Sequence, residues 1–94
     1  MKDEDREEIG ELVGLLESLI SSGSISESCL LDLNYRLRKK LEQLLCEVDN
    51  REHALGIYYL LGDNYAVIRR DPAEGMNNLL QILPFLQTLT GNIR

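Results

Sequence analysis

Apolar residues recur at helical spacing in four separate segments of this 94-residue chain. The four apolar stripes run from Ile9 to Ile20, from Leu30 to Val48, from Ala54 to Ile68 and from Met76 to Leu89. No segment shows the sustained two-residue alternation of a half-buried strand. The pattern therefore predicts an all-α fold, a compact bundle of about four helices arranged as two helical hairpins.

Stop and start signals separate the first three stripes. Gly23 can end the first helix in the left-handed conformation, and Ser24 with Glu27 has the spacing of a capping box for the second. We expect the second helix to reach about residue 48. Either Asp49 or Asn50 would cap the third helix.

The fourth helix has the clearest start. Asp71 is placed as its N-cap, Pro72 as its first residue and Glu74 three residues after the cap. Pro84 falls inside this helix, where it lacks a backbone N–H and its ring clashes with the preceding turn. We therefore expect the last helix to be kinked or interrupted at Pro84.

Length and charge limit the functions that are open to the chain. Ninety-four residues without a linker form one helical domain, residues 1–94. The net charge is −6 and most of it lies in the first helix, so nucleic acid is an unfavourable partner. No apolar run is long enough to span a membrane, and the acidic start lacks a signal-peptide core. These features predict a soluble, cytoplasmic protein that binds no membrane.

The third and fourth stripes are broader than the face that one neighbour covers. Apolar residues in the fourth sweep about 220° of the helix at about 100° per residue, and a second apolar face lies on the third. In so small a chain, this excess predicts self-association, as a homodimer or higher oligomer, or an obligate protein partner. The alternative is that these two helices form the bundle centre. The residues predicted to contact a partner are Leu55, Tyr59, Leu80, Phe85 and Leu86.

No constellation of residues indicates catalysis, a metal or a cofactor. His53 stands alone at a helix start, and Asp63 is the one carboxylate in an apolar context, which we expect on the solvent side. Cys29 and Cys46 are predicted to lie too far apart on one helix to form a disulfide, and to remain reduced thiols. We expect a non-enzymatic interaction module, such as a small acidic adaptor, a chaperone-like protein or an inhibitor.

A second hypothesis joins the tyrosines to the basic side chains. Tyrosine rings stack on bases and arginine forks hold phosphates. If the second and third helices pack antiparallel, the tyrosines and the basic side chains could together bind a small anionic ligand such as a nucleotide. The residues of this candidate site are Arg36, Lys40, Tyr58, Tyr65, Arg69 and Arg70.

Part of the chain resembles one tetratricopeptide repeat, a helix–turn–helix interaction unit. Tyr58, Leu61, Gly62 and Tyr65 follow the aromatic, Leu-Gly and Tyr pattern of that repeat's first helix. The second helix departs from the pattern, and the rest of the chain has no copy at the same period. The resemblance implies helical-hairpin packing, and we assign no family from it.

Overall fold

Four α-helices follow one another in the computed structural model, which describes residues 2–23 and 25–90. They are α1 (Asp3–Ser22), α2 (Glu27–Leu44), α3 (Arg51–Arg70) and α4 (Pro72–Thr90). The described residues contain no strand. The prediction of an all-α bundle of about four helices is confirmed.

The ends of α1 and α2 follow cap chemistry, with one correction. Gly23 closes α1 in the left-handed conformation, with φ 67°, as predicted. The N-cap of α2 is Ser26 and not Ser24, because its hydroxyl accepts the backbone N–H of Cys29 at 3.4 Å and the helix begins at Glu27. Ser24 itself lies outside the described residues.

α2 ends at Leu44, four residues before the predicted end. The chain continues as a turn in which Leu44 C=O accepts the N–H groups of Glu47 and Val48. Cys46 lies in this turn and not on the helix. Of the two candidate caps for α3, Asn50 has that role, since its side chain accepts the N–H of His53 at 3.3 Å.

A single residue, Asp71, joins α3 to α4. Its N–H bonds Val67 C=O at 2.7 Å and ends α3, while its C=O accepts the N–H of Gly75 at 3.0 Å. Its carboxylate accepts the N–H of Glu74 at 3.4 Å, as predicted for an N-cap. So short a connection requires the two helices to approach closely.

Gly75 permits that approach. A Cβ on Gly75 would lie 2.4 Å from Cγ1 of Ile68 and 2.9 Å from its Cα, and the second distance involves backbone that cannot move aside. Further along, α4 runs through Pro84 without a break. The predicted interruption is therefore absent, and the predicted kink is not confirmed.

The helices pack as a ring in which each contacts the next. α1 contacts α2 and α4, α3 contacts α2 and α4, and a smaller contact joins α2 to α4 across the centre. α1 and α3 lie on opposite sides of the bundle. All four helices contribute to one core, with Leu16, Leu30, Leu61 and Leu79 among its fully buried members.

Two asparagines lie inside this core and tie three helices together. Asn34 is 0% and Asn64 1% exposed. The Asn34 amide donates to Leu61 C=O at 2.8 Å, and the Asn64 amide donates to Asn34 Oδ1 at 3.1 Å and to Gly75 C=O at 3.2 Å. Asn78 donates to Asn64 Oδ1 at 2.9 Å. Buried amides satisfied in this way fix the register of α2, α3 and α4.

One copy of the chain covers more apolar surface than the sequence indicated. Leu60, Leu83, Phe85 and Leu89 are partly buried against the core. Among residues 2–23 and 25–90, the large apolar side chains that stay exposed are Leu15, Ile20, Ile25, Tyr35 and Tyr59. Self-association stays a prediction. No helix within the described residues has the length and apolar character needed to cross a bilayer.

Candidate functional site

A broad apolar depression lies between α3 and α4. It encloses about 530 Å³ and runs along both helices, with Ile57 and Ile82 as its floor and Leu60 and Phe85 as its walls. The His53 ring packs edge-on against Phe85, with 5.1 Å between ring centroids. We call this feature the α3–α4 groove. It extends about two helical turns along α3, roughly 10 Å at 1.5 Å per residue.

The groove contains no formally charged side chain. Its polar lining consists of Asn50, His53, Gln81 and Thr88. Three other depressions, on α1–α2 and on α2 with Tyr65, each include carboxylates and cations. A partner that fills the α3–α4 groove therefore need not remove a charge from water.

The five predicted contact residues do not form one patch. Tyr59 is 62% exposed, Leu55 and Leu80 are half-buried, and Leu86 is 4% exposed in the core. Phe85 lines the α3–α4 groove, but Leu80 lies about 140° around α4 from it at about 100° per residue. Phe85 is thus the predicted contact that an apolar partner can reach in this groove.

A second groove, between α1 and α2, was missed by the sequence reasoning. It encloses about 480 Å³ and is lined by Leu15, Leu19, Leu33 and Cys29, with Asp32 and Arg36 at its edge. Leu15 is 47% exposed. It falls outside the main stripe of α1, so periodicity placed it with the solvent-facing residues.

Three of the six residues predicted to bind an anion are engaged by carboxylates. Arg36 pairs with Asp32 at 3.1 Å and Arg70 with Glu74 at 3.5 Å, both in exposed pairs. Lys40 is held by Asp5 at 3.1 Å and Glu8 at 2.8 Å. The hydrogen bond to Glu8, and then the one to Asp5, raise the pKa of Lys40 against the opposing effect of burial. The other members are Tyr58 and Tyr65, both half-buried, and Arg69, which is exposed.

The sequence predicted that Arg36 and Lys40 lie beside the tyrosines, but in the structure Arg38 packs against Tyr58. Its Cζ lies 4.3 Å from the centroid of the Tyr58 ring, and its Nε would lie 3.2 Å from a Cβ on Gly62. That Nε is buried and has no hydrogen-bond partner among the described residues. The i, i+4 spacing of Tyr58 and Gly62 was the available signal, since a glycine beside an aromatic residue leaves room for a guanidinium.

The remaining chemical candidates lie at the surface, and His53 and Cys29 among them line the two grooves. Asp63 and His53 are exposed, and both cysteines are free and exposed. No group of three or more His, Cys, Asp or Glu residues suited to a metal ion occurs within residues 2–23 and 25–90.

Comparison with known proteins gives no relative, since no protein-family model, no curated protein and no solved structure matches the chain significantly.

Proposed function

We propose that the chain is a non-enzymatic protein–protein interaction module that acts as a homodimer through the α3–α4 groove. In this arrangement a two-fold axis passes near the groove, and each copy places its Pro84–Phe85 ridge against Ile57 and Leu60 of the other. Self-complementary contacts of this kind are the commonest form of homo-oligomer. The dimer would serve as a small adaptor, chaperone-like protein or inhibitor.

The observation that carries the proposal is the charge-free lining of an apolar groove. Apolar surface contributes about 25 cal/mol per Å² when it leaves water, whereas an unpaired charge costs several kcal/mol. Leu60 and Phe85 supply the apolar wall, and Phe85 is an aromatic side chain of the kind that anchors interfaces. Association through this groove therefore gains the free energy of burying apolar surface without the cost of burying an unpaired charge.

The distribution of charge also favours this face. The acidic first helix contacts α2 and α4 but not α3, so the α3 side of the interface holds the α1 helices of the two copies apart. Repulsion between them is then screened by salt, since the Debye length is about 8 Å at physiological ionic strength.

The proposal includes a cytoplasmic location. Its support is the pair of free thiols, because Cys29 and Cys46 are both exposed and unbridged. Exposed unpaired thiols are typical of reducing compartments.

Sedimentation velocity on two variants tests the proposed interface. Phe85→Asp puts a charge into the groove and should give a monomer, while Tyr59→Asp, on exposed surface outside the groove lining, should leave the dimer intact. Circular dichroism checks that both variants stay helical.

Because Phe85 also packs against the core, a variant at the groove edge separates folding from association. Thr88 is exposed, so Thr88→Lys should leave the fold unchanged and weaken the dimer by bringing two like charges together. A dimer that survives both Phe85→Asp and Thr88→Lys but dissociates with Tyr59→Asp would move the interface to the outer face of α3.

A further inference from the structure

Arg38 is a half-buried cation without a carboxylate partner in a chain that is rich in carboxylates. Among the described residues, Arg36, Lys40 and Arg70 each pair with an acid within 4 Å, whereas Arg38 forms no ion pair and no hydrogen bond. Its packing on Tyr58 satisfies one face of the guanidinium and none of its N–H donors. Burying the Nε–H donor without a partner costs free energy. The two terminal nitrogens also have no partner within the described part of the chain but are not buried, so an anion can reach them and neutralise the guanidinium.

A cavity lies beside this guanidinium. It encloses about 130 Å³ and is lined by Tyr35, Arg38, Lys39, Glu42 and Tyr65. At about 30 Å³ per liquid water, its volume equals that of about four water molecules. This is room for a small oxyanion and not for a whole cofactor.

The other lining groups offer donors of the right kind. Lys39 carries a second positive charge, and the Tyr35 and Tyr65 hydroxyls can donate. Burial raises the pKa of Tyr65, with Arg38 and a hydrogen bond from Asn34 opposing the rise. The phenol therefore keeps its proton at neutral pH. Tyr65 lines the cavity with its hydroxyl able to act as a donor.

We propose that Arg38, Lys39, Tyr35 and Tyr65 form a binding site for a phosphate group. Charge-assisted hydrogen bonds from a guanidinium are the strongest of the common phosphate contacts. Tyr35 is 54% exposed at the cavity, so its ring provides a stacking surface for the base of a nucleotide whose phosphate lies against Arg38. The site does not depend on the α3–α4 groove.

Glu42 is the one acid in the lining and acts against an anion. It is exposed and makes no ion pair with Arg38. Removing its charge leaves the fold unchanged and raises the affinity for phosphate severalfold, because a like charge beside the ligand is lost.

The test is a titration of the full chain with inorganic phosphate at constant ionic strength, followed by the NMR signal of the Arg38 Nε–H group. We expect this signal to move with saturation. The affinity should fall roughly tenfold or more in Arg38→Gln, as for loss of a charged hydrogen bond. The matched control is Arg36→Gln, two residues earlier on the same helix, which should change the affinity little.

Adenosine monophosphate in place of inorganic phosphate identifies the source of the phosphate group. Tighter binding of the nucleotide that is lost in Tyr35→Ala assigns the site to phosphate esters with a base, and equal affinity assigns it to free phosphate. An Arg38 Nε–H signal that does not move, or equal losses in Arg36→Gln and Arg38→Gln, overturns the proposal. If Arg38→Gln does not fold, Glu42→Gln decides, and an affinity that fails to rise contradicts the site.

Discussion

Asn34 and Asn64 occupy helical positions whose spacing suits core leucines, and both are buried. Their hydrogen bonds explain why the core tolerates them, since each amide finds a backbone carbonyl and the other side chain. Periodicity cannot reveal such residues, because it counts polar side chains as solvent-facing. The same limit hid Arg38, whose partner ring and neighbouring glycine come from another helix.

Asn64→Ala should lower the free energy of unfolding by about 3 kcal/mol, because the buried Asn34 Oδ1 loses its donor and the Asn78 amide loses its acceptor. Urea denaturation measures the change. Asn77→Ala is the control, since Asn77 is exposed on α4 and should change stability by no more than about 0.5 kcal/mol. Equal effects at the two positions would contradict a structural role for the buried network.

At the scale of the helices, the sequence predicted most of the order along the chain. The left-handed Gly23 and the Asp71-Pro72 start were readable because each is a local signal. The early end of α2 and the continuity of α4 through Pro84 could not be predicted from local signals. Both depend on how neighbouring helices hold the backbone, which local propensity does not contain.

The α3–α4 hairpin depends on Gly75, and a pair of glycine substitutions tests this. Gly75→Ala should destabilise the chain by about 2 kcal/mol, because the new methyl group meets the Ile68 backbone. Gly56→Ala is the matched change, since a Cβ there meets no other atom within 4 Å. It should stabilise α3 by about 0.5–1 kcal/mol. Thermal unfolding that shows the same sign for both would contradict the close approach.

The contact of α1 with α2 should weaken at alkaline pH. The pKa of Lys40 is raised above its usual 10.5, chiefly by Glu8, so its stabilising effect is full below that pH and is lost as pH rises through the folded value. Burial likewise raises the pKa of Tyr65 above 10.0, with the same sign.

We therefore expect the free energy of unfolding to fall at alkaline pH in the unmodified chain. In Lys40→Met it should start lower and fall less steeply. The control Lys39→Met changes an exposed side chain and should keep the original profile. The free energy of unfolding is measured by urea denaturation at several alkaline pH values. If it fell as steeply with pH in Lys40→Met as in the unmodified chain, the stabilising effect assigned to the ion pairs of Lys40 with Asp5 and Glu8 would be contradicted.

At the scale of the whole molecule, α3 and the acidic α1 stand on opposite sides of the bundle. The sequence predicted an apolar excess on α3 and α4, and the bundle covers much of it. What stays open is a groove whose shape depends on the distance between two helices, a quantity absent from any single helix pattern. The predicted contacts were therefore spread over several faces, and Phe85 alone of them lies in the groove lining.

Sedimentation equilibrium of the unmodified chain over a wide range of concentration tests the dimer most directly. We expect a reversible monomer–dimer equilibrium whose dissociation constant increases in Phe85→Asp and Thr88→Lys and stays unchanged in Tyr59→Asp. Screening by added salt should favour the dimer slightly, since its groove contains no ion pairs to weaken. A chain that remains monomeric at every concentration would contradict the proposed self-association through the α3–α4 groove.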